Sequence, residues 1–340
     1  MVSVEESPLK EIAIIGVNSF SGASLAKNLS ESGIRVLGFC RTESTDSIYL
    51  PYKSETNKHS HLIEVINANL ISDHKVIADK ILNSGIRHVV NFASQSMVAE
   101  SWNSPEDWYD TNLTSLAKLL KPFADNPQSL DKFIQFSTPE VYGTTSELLS
   151  ENWNFNPSTP YAISRAASDF HLRCLYNEYG FPVIFTRAAN VYGRHQKLYR
   201  VIPKFIIKAI KGESFELHGG GISTRSFIHI EDVSRALRAI LSSGKLGHTY
   251  HISTNRFISI NDLSRLILDQ VSATNSNLLA ASPDRRGKDL AYHLDSKKIR
   301  QELGWTETIS LEEGIADVYS WIRENWDRIE HAEIEYRHAQ

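Results

Sequence analysis

The chain has 340 residues, 41% hydrophobic and 22% charged, with a formal net charge of −4. A globular protein of one large domain or two follows, long enough to bury a core without staples, and the acidic balance gives no reason to expect nucleic acid as the main partner. Cys40 and Cys174, far apart in sequence, argue for a reducing compartment over a disulfide framework; the polar start MVSVEESPLK is no secretory signal, and no apolar run reaches the about 20 residues that span a bilayer, so a cytoplasmic protein is expected.

Residues 11–16, EIAIIG, are a short apolar run ending in glycine. Asn18, Ser19, Phe20, Ser21 and Gly22 follow, then a helical pattern that stops at Gly33, then a second strand over 34–39. Strand, glycine turn, helix, strand is the first βαβ unit of a dinucleotide fold. Glycine lets the backbone approach a pyrophosphate, and the helix N-terminus supplies N–H groups and a positive dipole end. Gly16, Ser19, Phe20 and Gly22 are the candidates here, with Ser19 standing where a middle glycine is usual; the bland alternative is a tight turn. At the end of the second strand Cys40 occupies the place of the acid that accepts the ribose 2′-hydroxyl bonds, and Arg41 is next. An arginine pairs with a 2′-phosphate, which tilts the choice between NAD and NADP toward NADP, against the equal alternative of a solvated surface arginine.

A third strand is read over 62–70, with Asn69 at its end near an adenine, and a helix over 72–82. The fourth strand, 86–92, runs into Ala93, Ser94, Gln95 and Ser96, small residues that let a ribose and nicotinamide pack close. Residues 102–120 read as largely helical and include Asn112, either a cofactor contact or a helix residue with no role.

The centre of the chain is FIQFSTPEVYG (133–143) with PYAISRA (160–166). A buried strand over 133–136 delivers Ser137, Thr138 and Glu140, and a helix opens with Tyr161 and Arg165, one turn apart and so on one face. A tyrosine, with a pKa near 10, is a poor base at neutral pH. A fixed cation beside it favours the phenolate, so Tyr161 can take a proton from a substrate hydroxyl while a nicotinamide takes the hydride. Thr138 can bond the same hydroxyl, and Glu140 is a carboxylate in reach of a neighbouring carbon. Singly, each has a plain alternative: an aromatic anchor, a surface acid, an arginine stem over apolar surface.

A helix over 162–179 and a strand over 181–186 continue the alternation, which implies a parallel sheet with right-handed crossovers. Past Gly193 the rhythm loosens: helices over 201–211, 231–241, 259–268 and the amphipathic 296–305 and 311–325, strands over 224–230 and 250–253. The expected architecture is α/β, a doubly wound parallel sheet over 1–193 carrying the catalytic residues, and a smaller C-terminal α/β substrate domain over 194–340, with segments crossing the boundary.

These motifs resemble those of the extended short-chain dehydrogenases/reductases, Rossmann-fold enzymes, and most of all the nucleotide-sugar 4,6-dehydratases of the dTDP-glucose and GDP-mannose type. The carriers are Gly16, Phe20 and Gly22, 91–96, 137–143, 161–165, 190–193, 225–227, 284–287 and 303–305, nearly the whole chain. The resemblance implies that Tyr161 deprotonates the C4 hydroxyl as hydride passes to NAD(P)⁺, that Glu140 removes the acidified C5 proton, that the C6 hydroxyl leaves as water, and that the hydride returns to C6. It also implies Ser96, Asn190, Lys204, Arg225 and Arg285 on the nucleotide sugar, Tyr161 and Arg165 at the cofactor as well, and a homodimer built through the helices of 102–120 and 162–179. Three positions depart from the pattern: Pro139 replaces the aspartic acid of many dehydratases, Arg165 the usual lysine, and Ser19 a glycine. They keep other readings open, a 4-epimerase or uronic acid decarboxylase of the same family, or a cofactor-binding protein without catalysis.

Overall fold

Runs rich in apolar and β-branched residues assemble one parallel sheet in a computed structural model that describes residues 9–42, 45–145, 147–271, 278–282 and 290–336. The strands are β1 (Glu11–Ile15), β2 (Arg35–Cys40), β3 (Ile63–Asn67), β4 (His88–Asn91), β5 (Lys132–Ser137), β6 (Val183–Ala188) and β7 (Thr249–Ile252). They lie in the order β7-β6-β5-β4-β1-β2-β3, every neighbouring pair parallel. Between β1 and β4 the strand order reverses, and the connections leave to opposite faces; a crevice opens at the carboxyl ends of such a pair.

Helices α1 (Phe20–Glu31), α2 (Leu70–Ser84), α3 (Ser115–Asp125), α4 (Pro160–Tyr179), α5 (Val201–Lys211), α6 (Ile230–Ser243), α7 (Ile260–Gln270), α8 (Lys297–Leu303) and α9 (Leu311–Glu324) surround it. Side chains alternate across β1, so Ile12 and Ile14 join one core with Leu25, Leu29, Leu237 and Ile240, while Ile15 joins the other with Ile81, Leu119, Phe133 and Leu172. A third core, with Ile206, Leu263, Ile315 and Trp321, underlies the smaller lobe. Lys132 sits buried in β5 because its Nζ donates to the carbonyls of Leu241 and Ser242, each at 2.8 Å, which end α6.

The stretch 102–120 is largely helical, as expected: a short helix, Pro105–Tyr109, passes through a π-turn, Asp110–Thr114, into α3. One reading of local structure changes. The single strand expected over 224–230 is two, Thr224–Arg225 paired antiparallel with Ile258–Ser259, and Phe227–His229 paired parallel with Asn190–Tyr192. Ser226 separates them, its hydroxyl turned to Thr254, so the chain changes sheets there. Both β7 and α6 lie beyond residue 193 yet complete the large sheet and its first core.

Candidate active site

The cofactor side is a groove of about 250 Å³ at the β1–β4 crevice, lined among others by Gly16, Ser19, Arg41, Asn69, Ala93 and Gln95. Gly16 has φ +84°, and a Cβ there would stand 2.8 Å from the Ala93 nitrogen; a Cβ on Gly22 would stand 2.3 Å from the Gly16 carbonyl oxygen. Strand, turn and helix are therefore packed backbone to backbone, which leaves the start of α1 facing the groove, where a pyrophosphate is held by N–H groups and the helix dipole. Ser19 is the N-cap of α1: its backbone is extended and its Oγ accepts from the Gly22 N–H at 3.1 Å. Residues and shape fit a dinucleotide.

Asn69 caps α2 by accepting from the Ile71 N–H at 3.1 Å, and Arg41 lies exposed at the groove wall. Asn112, in the π-turn, is buried, and its amide is engaged by protein: it accepts from Gln95 N–H at 2.8 Å, donates to Gln95 carbonyl at 3.0 Å and donates to Ser164 Oγ at 2.8 Å. It thus ties the loop after β4 to α4 and touches the groove through Gln95.

The candidate catalytic side chains meet at the end of β5. Thr138 is extended and caps a tight turn, Pro139–Tyr142, accepting from the Glu140 N–H at 3.4 Å. Pro139 is the first residue of that turn, where a proline's missing N–H costs nothing, and it is buried. Glu140 is half-buried above it. Thr159 caps α4 by accepting from Ala162 N–H at 3.1 Å and so fixes Tyr161 in the first turn, hydrogen-bonded to Thr138. The expected lowering of the Tyr161 phenol is outweighed: burial pushes it up to about 12, Glu140 adds to the rise, and Arg165, the Thr138 bond and Arg200 pull it back. Arg165 is buried, and its guanidinium donates to the Phe136 carbonyl of β5, so the cation that replaces lysine also pins helix to strand.

On the facing side, the Tyr292 hydroxyl lies 3.3 Å from Glu140 Oε1 and 3.2 Å from Asn190 Oδ1, and Arg225 stands 4.5 Å over the Tyr292 ring. Ser96 accepts from Arg200 at 3.1 Å. Lys204 instead pairs with Glu335 at 2.5 Å. Arg285 lies outside the described residues. Sequence reading missed Tyr292 and Arg200. Tyr292 comes 152 residues after Glu140 in a stretch with no helical or strand period, and Arg200 precedes α5 with no motif around it; neither carries a local signal.

The model of the GDP-mannose 4,6 dehydratase family matches residues 13–318. The chain belongs to that family. It is 34% identical to the dTDP-D-glucose 4,6-dehydratase of Homo sapiens over 253 residues, 72% of this chain and 71% of that one. It is 28% identical to the dTDP-glucose 4,6-dehydratase of Escherichia coli over 357 residues, 94% of this chain and 96% of that one. Among solved structures it is similar to DesIV, a dTDP-glucose 4,6-dehydratase from Streptomyces venezuelae with NAD and TYD bound, at TM-score 0.84 and 26% identity over 94% of this chain and 98% of that one.

Behind the end of β5 in this 4,6-dehydratase-family chain runs a buried polar network. Ser137 donates to Asp169 at 2.8 Å, Arg187 donates to Asp169 at 3.0 Å and to the Tyr142 hydroxyl at 2.9 Å, and Tyr142 lies 2.9 Å from His251 Nε2. Asp169 is one turn beyond Arg165 on α4, and Ser137 immediately precedes Thr138, so the network clamps both elements that carry the candidate residues. No helix of the described residues is long and apolar enough to cross a membrane.

Proposed function

We propose that the protein is an NAD(P)-dependent NDP-sugar 4,6-dehydratase in which Tyr161, Thr138 and Glu140 are the reacting side chains. The observation that carries this is Tyr161 bonded to Thr138 with Glu140 close enough to act on its charge, all at the edge of a dinucleotide groove. Gly16, Ser19, Phe20 and Gly22 would hold the pyrophosphate, Arg41 and Asn69 the adenosine end, and Ala93 and Arg165 the nicotinamide end. When bound, the nicotinamide accepts a hydride from C4 of the sugar and gives it back at C6.

Tyr161 takes the C4 hydroxyl proton, and Thr138 orients that hydroxyl. The new C4 ketone acidifies C5, whose proton Glu140 removes; expulsion of the C6 hydroxyl follows. A base beside Tyr161 is needed for elimination and not for inversion at C4, which favours the dehydratase over the epimerase. Asn190, Ser96 and Arg225 would line the nucleotide sugar, with Lys204 at its margin in exchange for Glu335. Arginine suits diphosphate because its planar fork pairs two oxygens.

Arg41 supports NADP over NAD. Exposed Ile163 and Phe170 on α4, with Trp102 nearby in sequence to the short helix, support a homodimer through these helices, a reading that a monomer mass in light scattering at micromolar concentration would overturn. The central experiment is mass spectrometry of purified protein with dTDP-glucose, UDP-glucose, GDP-mannose and trace NAD(P)⁺. Loss of one water from a substrate with no net change of cofactor is the expected result. An unchanged mass with inverted sugar stereochemistry, or loss of carbon dioxide from a uronic acid, would assign another reaction.

A further inference from the structure

Elimination needs a proton for the departing C6 oxygen, because hydroxide, the conjugate base of water with a pKa of about 15.7, is a poor leaving group. Pro139, beside Glu140, has no proton to give. The geometry points to Tyr292 as the acid: we propose that its phenolic O–H protonates the C6 hydroxyl in a relay with Glu140, an assignment that rests on the dehydratase reading. Tyr292 is 6% exposed, and its hydroxyl lies 3.3 Å from Glu140 Oε1 and 3.2 Å from Asn190 Oδ1. Since C5 and C6 are bonded to each other, a donor in contact with the base at C5 stands beside the group leaving C6. Arg225, 4.5 Å over the ring, places a cation against the charge that develops on the phenol.

The step balances without a further reagent. The C5–H bond breaks, its electron pair forms the C5–C6 double bond, and the C6–O bond breaks. The C5 proton goes to Glu140, and the Tyr292 proton goes to the leaving hydroxide, which departs as water. Glu140 then passes its proton along the hydrogen bond to the phenolate, so both side chains regain their starting forms. When hydride returns to C6, C5 takes a proton that water resupplies through the same pair, and Tyr161 releases to water the proton it took from the C4 hydroxyl.

The test compares wild type with Tyr292→Phe on the nucleotide sugar that wild type dehydrates and on its 6-deoxy-6-fluoro analogue, whose fluoride leaves without protonation. Loss of water should fall by about 10²-fold or more in Tyr292→Phe, the usual worth of a general acid, while loss of fluoride keeps the wild-type rate. Adding Pro139→Asp to Tyr292→Phe should restore water loss in part by placing a carboxylic acid beside Glu140. An equal fall for both substrates would show that Tyr292 only positions its neighbours, and undiminished water loss would show that it is not the acid. Thermal unfolding and nucleotide binding of each variant confirm that the protein tested is folded. A wild-type protein that removes water from no nucleotide sugar removes the dehydratase reading and the relay with it.

Discussion

Arg187 and Asp169 form an ion pair 3.0 Å long in which neither side chain meets solvent. The aromatic faces of Tyr142 and Phe155 flank the guanidinium, 5.0 and 4.8 Å from its carbon, and Ser137 bonds the same carboxylate oxygen. Breaking such a pair leaves one charge buried without its partner. Asp169→Ala should therefore destabilise the protein by about 3–5 kcal/mol in chemical denaturation. The loss should extend to turnover of the protein that remains folded, because the Ser137 anchor next to Thr138 goes with it. Replacing Arg187 and Asp169 together by apolar residues should recover much of the stability and little of the turnover.

Tyr161 is caught between Glu140, which raises its pKa, and Arg165 and Arg200, which lower it, with burial placing the net value at about 12. With the Tyr161 phenolate as the proposed base, the base-dependent step should speed up as pH rises toward that value. Glu140→Gln removes an opposing negative charge and should move tyrosinate formation to lower pH. Arg200→Met removes a favourable cation and should move it to higher pH. Ultraviolet titration of each variant against its Tyr161→Phe double reads the shift directly; equal curves would mean that neither charge reaches the phenol.

The large sheet was legible because β1, β2, β4, β5 and β6 are buried runs separated by helical patterns and glycine stops, signals that are local in sequence. The placement of the candidate residues was legible for the same reason: Thr138 and Glu140 follow one strand, and Tyr161 and Arg165 open one helix. Tyr292 and His251 were not, since each makes its contact more than 100 residues away in sequence, Tyr292 from just before a two-residue strand, His293–Leu294, and His251 from β7. The π-turn at Asn112 hid because the apolar spacing of 102–120 is helical on either side of it. The net rise of the Tyr161 pKa was beyond a sequence argument: Arg165 is visible there, but burial, the larger influence, is not.

His251 is fully buried, and burial together with Arg187 lowers its pKa from 6.5 to about 3. The unfolded chain binds a proton below pH 6.5 that the folded one refuses until about pH 3. This contribution to stability is whole above the unfolded value and is lost as pH falls through that window, at about 1.4 kcal/mol per pH unit. His251→Gln cannot take up that proton. Its stability should accordingly fall less steeply than that of wild type between pH 6 and 4 in urea denaturation, even if it is lower at pH 7. Parallel pH dependences would mean that His251 is charged in the fold.

The turn before α1 tolerates serine at one position and should refuse alanine at another. Ser19→Gly removes the cap bond to Gly22 at a cost of a few tenths of a kcal/mol, while Ser19→Ala should cost about 1 kcal/mol. Ser19 lines the groove, so each variant should weaken dinucleotide binding modestly in calorimetry. Gly22→Ala drives a methyl to 2.3 Å from the Gly16 carbonyl oxygen, a backbone atom that cannot step aside. Helix and strand must separate, and affinity should fall far more than for either Ser19 variant.

The proposed preference for NADP rests on Arg41 and can be tested on electrostatic grounds. It follows Cys40 at the end of β2 on the wall of the groove, where the 2′ position of an adenosine ribose falls in this fold. A 2′-phosphate gains a charge-assisted bond of about 1.5–3 kcal/mol from a guanidinium, whereas a free 2′-hydroxyl gains more from a carboxylate. Arg41→Asp should accordingly weaken NADP by about 10- to 100-fold, since 1.4 kcal/mol is tenfold, and leave NAD as tight or tighter. The NADP difference should shrink as salt is raised, because the arginine is exposed. If calorimetry finds both dinucleotides bound equally by wild type and variant, Arg41 is a solvated residue and the preference lies with the backbone of 40–42.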